Sequence, residues 1–189
     1  GRYAYPTSQL DRGWVNTNAI SIIDANTDEL VTSVLLDEVE LGAPNPWGVA
    51  MNGDDLVVSI SGAHQIFTID TNELMDRIDA VAAGENEDVA TVADIADYLP
   101  FLDGLRNKID LDGEGNREIA VANGNVYVCQ YFTGNVAVVD LENNAVTGAI
   151  SLGEQPEANA VRTGETLWND GTKGYQQWES CASCHPEGR

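Results

Sequence analysis

Near the end of the chain stands Cys181-Ala182-Ser183-Cys184-His185. Two thiols three positions apart, followed at once by an imidazole, admit three chemistries. Each thiol can add to a haem vinyl group, after which the histidine projects to the iron as proximal ligand. A dithiol of the thioredoxin type would need a preceding strand and has no use for the histidine. A zinc site would need two further ligands. Only His64 and Cys129 are left as soft donors, and neither is paired in the sequence. The histidine directly after the second cysteine is what points to haem c. Cys181 and Cys184 are then the covalent attachment points, and His185 is the iron ligand.

A second pattern offers oxygen ligands. Asp110, Asp112 and Glu114, with Gly115 next, match positions one, three, five and six of a calcium loop. The acid that such a loop carries at its twelfth position is absent, because Val121 stands there. The same stretch also fits a strand and a turn. Calcium is therefore a possible second cofactor on these three acids. His64, Met51 and Met75 are the other side chains that could reach a haem iron. His64 falls in a hairpin turn, where an exposed polar residue is the default, and both methionines read as core. Cys129, in the apolar run "NVYVCQYF", reads as a small buried hydrophobe. There is no Gly-rich phosphate loop, serine nucleophile signature or paired-histidine metal motif.

These groups sit in an acidic chain. Nine Lys and Arg against 31 Asp and Glu give a net charge of −22 over 189 residues. Such an excess argues against nucleic acid, whose binding rests on cations that neutralise phosphates. It suits a salt-adapted surface, divalent cations or a basic redox partner. No stretch approaches the eighteen or so apolar residues of a membrane helix.

The elements that must position the motif come as repeats. "PWGVAMNGDDLVVSISGAHQIFTIDTNELM" and "REIAVANGNVYVCQYFTGNVAVVDLENNAV" share one layout. Each has an apolar run, a turn (Asn52-Gly53-Asp54 or Asn123-Gly124-Asn125) and a second run. A Gly-containing turn and a third run ending in Asp follow. Turn residues of these types supply positive φ, and the runs between them alternate as strands do. "NAISIIDANTDELVTSVLLD" and "GNVAVVDLENNAVTGAISLG" match the last two strands of the same unit.

Four short antiparallel strands per repeat are the signature of a β-propeller blade of roughly 40–45 residues. The expected class is thus mainly β: a partial β-propeller of about three four-stranded blades, with a helical insertion and a short α-helical segment at the C-terminus. Closed rings need about four to eight blades, so other chain segments or subunits are expected to complete this one. "GRYAYPTSQL" reads as a strand feeding a hairpin at Asp11-Arg12-Gly13. The repeat is interrupted at about 73–108. There "ELMDRIDAVAAG" and then "NEDVATVADIADYLPFLDGLRNK", with Val89, Val92, Ile95, Ala96 and Leu99, are spaced at three and four, which predicts two helices, the second ended or kinked by Pro100.

The tail "VRTGETLWNDGTKGYQQWESCASCHPEGR" resembles the first haem segment of the di-haem cytochrome c peroxidases and their methylamine-utilisation relatives. Gly164, Leu167, Trp168 and Asp170 match the approach. Ser180 to His185 match the core, and Pro186 follows it. The repeats upstream resemble YVTN-type propellers fused to such a domain. The resemblance implies blades over residues 1–159 and the start of a haem domain over 160–189. It also implies that Trp168 and Trp178 lie near the haem, although either residue type also suits a core. The second haem, the sixth ligand and the peroxidatic residues of such proteins would lie downstream of His185, so the ending is read as the beginning of a haem domain.

The expectation is a haem c electron-transfer protein whose propeller is a scaffold or docking surface. Alternatives are one part of a peroxidase-like di-haem oxidoreductase, or a cell-surface propeller that binds a partner. Thioether attachment takes place outside the cytoplasm, which places the protein in the periplasm or at the cell surface.

Overall fold

The computed structural model of the protein describes residues 17–185. The hairpin read at Asp11–Gly13 and the proline at 186 lie outside them. The strands are β1 Ala19–Ile23, β2 Leu30–Leu35, β3 Pro46–Asn52, β4 Asp55–Ile60, β5 Gln65–Asp70, β6 Arg106–Asp110, β7 Asn116–Ala122, β8 Asn125–Gln130, β9 Asn135–Asp140 and β10 Ala145–Ser151. They form a β1–β2 hairpin and two four-stranded sheets, β3-β4-β5-β6 and β7-β8-β9-β10. All pairings are antiparallel between chain neighbours. The fold is mainly β and propeller-like, and the described sheets do not close into a ring.

The turns behave as their residue types require. Gly53 (φ 64°), Asn123 (φ 52°), Gly124 (φ 77°) and Gly134 (φ 74°) occupy the left-handed region. Asn and Gly reach it at least steric cost, and the twist it imparts matches that of the flanking strands.

Strands β4 and β5 carry apolar residues on both faces because both faces are covered. On one side Val58, Ile60, Phe67 and Ile69 pack with Val34 and Leu36 of the first hairpin region. On the other side Val57 and Ile66 pack with Ile109, Val126, Val128, Ala137 and Val139. Successive residues of a strand point to opposite faces, so Val57 and Val58 serve different cores. Between the sheets the backbones come close. Ser59 Oγ accepts from Gly48 N at 2.8 Å and donates to Arg117 O, which joins β3, β4 and β7.

The interruption of the repeat begins as a helix, as its first stretch suggests, and departs from expectation after that. Helix α1 spans Thr71–Ala82, and the side chain of Asp70 caps it by accepting from Glu73 N. Its residues Leu74, Ile78 and Val81 complete the first core. The second stretch is two 3-10 turns, Val92–Asp97 and Leu99–Leu102, rather than one α-helix. The break falls at Tyr98, in extended conformation, which caps the second turn; Pro100 stands in the first positions of that turn, where its missing N–H costs nothing. The insertion also ends sooner than 108. Arg106–Asp110 is a strand paired with β5, as a four-stranded unit needs. Among the described residues no helix is long and apolar enough to cross a membrane.

Candidate functional site: the Cys-Ala-Ser-Cys-His turn and its cradle

Helix α2 spans Ala160–Asn169 and is capped by Asn159, whose side chain accepts from Arg162 N at 2.9 Å. It stops at Asp170, whose carboxylate caps the next 3-10 turn by accepting from Thr172 N. The chain then bends through Gln176 and Gln177, both left-handed, into α3, Cys181–Cys184.

The stretch from Asn169 to Ser183 lies against loops of the first four-stranded sheet. Gly171 N donates to Gly62 O at 2.8 Å, and Gly42 N donates to Gln176 O at 2.9 Å. A Cβ on Gly42 would overlap Trp178 Cα, and one on Gly171 would overlap the Pro44 ring. Backbone thus meets backbone at Gly42 and meets the proline ring at Gly171, distances only glycine permits. Trp178 is 7% exposed and shares a core cluster with Ala19, Leu35 and Leu99. That packing accounts for one of the two tryptophans singled out in the sequence.

The turn itself is built from serines. Ser180 N donates to Ser183 Oγ at 3.0 Å, the reciprocal half of a capping box. His185 N donates to Cys181 O at 2.9 Å. Asn45 reaches both serines from the loop before β3: its Nδ2 donates to Ser180 Oγ at 2.7 Å, and its Oδ1 accepts from Ser183 Oγ at 3.0 Å. Ser180, Ala182 and Ser183 are buried in consequence, while Cys181, Cys184 and His185 are exposed. The Cys184 thiol donates to Glu179 Oε2 at 3.7 Å.

Trp168, at the end of α2, stands beside the histidine. The two rings are 6.2 Å apart between centroids, and Trp168 Nε1 donates to His185 O at 3.3 Å. The indole is 37% exposed, with Leu167 next to it at 54%. Of the two candidate tryptophans, Trp168 is the one the structure brings to the motif.

The remaining candidates lie elsewhere. His64 is left-handed (φ 58°) at the β4–β5 turn. Its Nε2 lies 3.5 Å from Asp170 Oδ1, so it links blade to tail and is not simply solvated. Burial alone would raise the Asp170 pKa. Hydrogen bonds from Thr172 and Lys173 and the charge of His64 outweigh burial and hold it below the usual carboxylate range. Met51 and Met75 were expected in the core, yet they are 49% and 39% exposed. Cys129 is half-buried on β8, opposite Val136. Asp110 ends β6, where its carboxylate accepts from Gln65 Nε2 at 2.7 Å. Asp112 and Glu114 do not converge with it. Among the described residues no three His, Cys, Asp or Glu side chains form a metal-binding group.

The sequence reading missed Asn45. Its one local signal is an Asn before a proline in a Pro-rich loop, which suggests a turn and not a contact 135 residues away.

No family model matches the chain, and neither does any curated protein. Solved structures do resemble it. Hydrazine synthase from Kuenenia stuttgartiensis matches with a TM-score of 0.54 at 22% identity, over 72% of this chain and 38% of that one. Apo AztD from Citrobacter koseri matches with a TM-score of 0.45 at 15% identity, over 74% of this chain and 31% of that one. The chain spans well under half of either. The first likeness supports a propeller-like fold.

Proposed function

We propose that this chain binds haem c and transfers single electrons, with the propeller-like sheets as its scaffold. One observation carries the reading. The motif folds into a turn whose serine side is buried in a blade loop, while Cys181, Cys184 and His185 face outward together. Thiols at i and i+3 of a helical turn share a face, as two attachment points on one planar group require. A buried structural pair of cysteines would show the opposite pattern. Trp168 and Leu167 add exposed apolar surface beside the motif, suited to a porphyrin.

Attachment needs no external oxidant. Each S–H adds across a vinyl C=C: sulfur bonds to one carbon, the thiol proton goes to its neighbour, and nothing leaves. His185 Nε2 would be the iron ligand, which leaves Nδ1 as the hydrogen-bonding nitrogen. Haem, when bound, supplies the one-electron couple, tuned by axial ligand and burial. The net charge of −22 would steer a basic redox partner, with an association rate that falls as salt rises. Thioether attachment would place the protein in the periplasm or outside the cell.

The test is expression with the haem c maturation machinery. The denatured protein should keep its haem through gel electrophoresis and give a pyridine haemochrome of the thioether type. The C181S/C184S double variant should lose both signals. Haem that leaves the wild-type protein on denaturation, or a bound haem with no reversible one-electron couple, would overturn the reading.

A further inference from the structure

We infer that Asn45, a residue of the blade, is the positioning residue for haem attachment, acting through Ser180 and Ser183. The inference rests on the haem c reading above and concerns how the chain presents its thiols. Helix α3 has four residues. Isolated helices below about 12–15 residues are marginal in water because nucleation is unfavourable. The turn must therefore take its order from tertiary contacts.

Asn45 supplies them on the side opposite the thiols. Nδ2 donates to Ser180 Oγ at 2.7 Å and to Asn169 O at 3.2 Å, and Oδ1 accepts from Ser183 Oγ at 3.0 Å. Both of its donors and its acceptor thus serve the tail. The serines alternate with the cysteines, so fixing Ser180 and Ser183 inward fixes Cys181 and Cys184 outward. The backbone of Asn45 is held as well, since Ser61 N donates to its carbonyl at 3.0 Å. Its φ is 55°, a left-handed value uncommon for a side-chain-bearing residue, and Pro46 follows it. Asparagine tolerates such a backbone and glycine would fit it too, but glycine carries no amide to hold the serines.

The blade loop thereby does work that an independent cytochrome domain would assign to its own residues. The folded blade loop templates the motif. Removing the clasp should leave the blades intact and let the Cys-Ala-Ser-Cys turn fray.

The experiment compares wild type, Asn45→Gly and Asn45→Asp. Glycine keeps the left-handed backbone and deletes the amide. Aspartate keeps the acceptor for Ser183 Oγ and can accept from the Ser180 hydroxyl once that rotates, but it loses the donation to Asn169 O. Amide hydrogen exchange is read on haem-free protein, and covalent haem per chain by intact mass after maturation. Exchange at Ser183 and His185 should rise about tenfold in Asn45→Gly, which loses three side-chain hydrogen bonds to the tail, two of them to the serines of this turn. Exchange at Val57 and Ile66 in the core strands should not change. Covalent haem should fall several-fold in Asn45→Gly and recover in part in Asn45→Asp, which still holds the serines but not Asn169 O.

Unchanged exchange at Ser183 and His185 in Asn45→Gly would overturn the inference. So would faster exchange with undiminished haem. Should Asn45→Gly fail to fold, Ser180→Ala/Ser183→Ala removes the clasp from the other side and is judged by the same two readouts. Wild-type protein that takes up no covalent haem would instead overturn the haem c reading itself. The exchange result would still show whether Asn45 orders the turn.

Discussion

Arg162 holds Tyr131 in two ways: its Nη2 donates to the Tyr131 carbonyl at 2.7 Å, and its guanidinium carbon lies 4.3 Å from the Tyr131 ring centroid. The same ring takes a second guanidinium, that of Arg117, at 3.8 Å, and Arg117 also lies 4.4 Å over Trp47. Two of the nine cations in the chain are thus stacked around one tyrosine. Glu165, 2.8 Å from Arg162 Nη1, offsets one of the charges. The stack joins β3, β7, the β8–β9 turn and α2. It is a second anchor for the tail, at the opposite end from Asn45.

Arg162→Ala removes that anchor. A cation–π contact and a hydrogen bond together predict a loss of about 1–2 kcal/mol, with faster amide exchange confined to α2. Arg162→Lys should not restore the loss, because an ammonium group lacks the planar face that stacks. Chemical denaturation of the three proteins checks this. Full restoration by lysine would show that charge alone matters.

Asp37 gives the protein a pH dependence of unusual sign. It is fully buried, and burial pushes its pKa up to about 6. Hydrogen bonds from Asn18 and Ala43 and the charge of Arg106 pull the other way without prevailing. A carboxyl that binds its proton more tightly when folded stabilises the fold fully below its unfolded pKa of about 4. That contribution is lost as pH rises through about 6. From the two-unit gap it is on the order of 3 kcal/mol. Asp170 and Glu38, with lowered pKa values, act in the opposite direction and at lower pH. Urea midpoints should fall between pH 4 and pH 7, and Asp37→Asn should flatten that slope. A slope unchanged in the variant would assign it to other groups.

Gly42→Ala probes the contact between blade and tail. The new methyl has nowhere to go but into the Trp178 backbone. Overpacking of this kind costs about 1–3 kcal/mol. Trp178 fluorescence should shift to longer wavelength as the tail lifts and the indole meets water. An unshifted spectrum with wild-type stability would mean that the loop moves aside instead.

Ile66→Ala tests the shared core between the two four-stranded sheets. Ile66 is fully buried there. Loss of its side chain should cost about 2–5 kcal/mol, depending on how far the site collapses. A thermal melt that remains a single transition would show that both sheets unfold as one unit. Two transitions would show that they are separable.

Much of this was legible in the residues. The turns at Asn52-Gly53 and Asn123-Gly124 announced the hairpins, because few residue types tolerate positive φ. The alternating runs between them announced the strands. Helix α2 was legible from its start near Ala160. The second half of the interruption was not. Its spacing at three and four is satisfied by an α-helix and by successive 3-10 turns alike, and the choice was made by Pro100 and by the pairing of Arg106–Asp110 with β5. Met51 was misread as core because strand patterns do not reveal which sheet face is covered.

The sequence by itself determined the chemistry open to the protein: two thiols and an imidazole at fixed spacing, on a turn that puts both thiols on one side, in a strongly acidic chain. Only the tertiary structure decided which side of that turn faces outward, that Trp168 and not Trp178 stands beside His185, and that Asn45 holds the serines. The reason is physical. Spacing within one helical turn is set by local backbone geometry, which neighbouring residues specify. Contacts between Asn45 and Ser183 span 138 positions, and they exist only once the blade has folded and brought its loop to the tail.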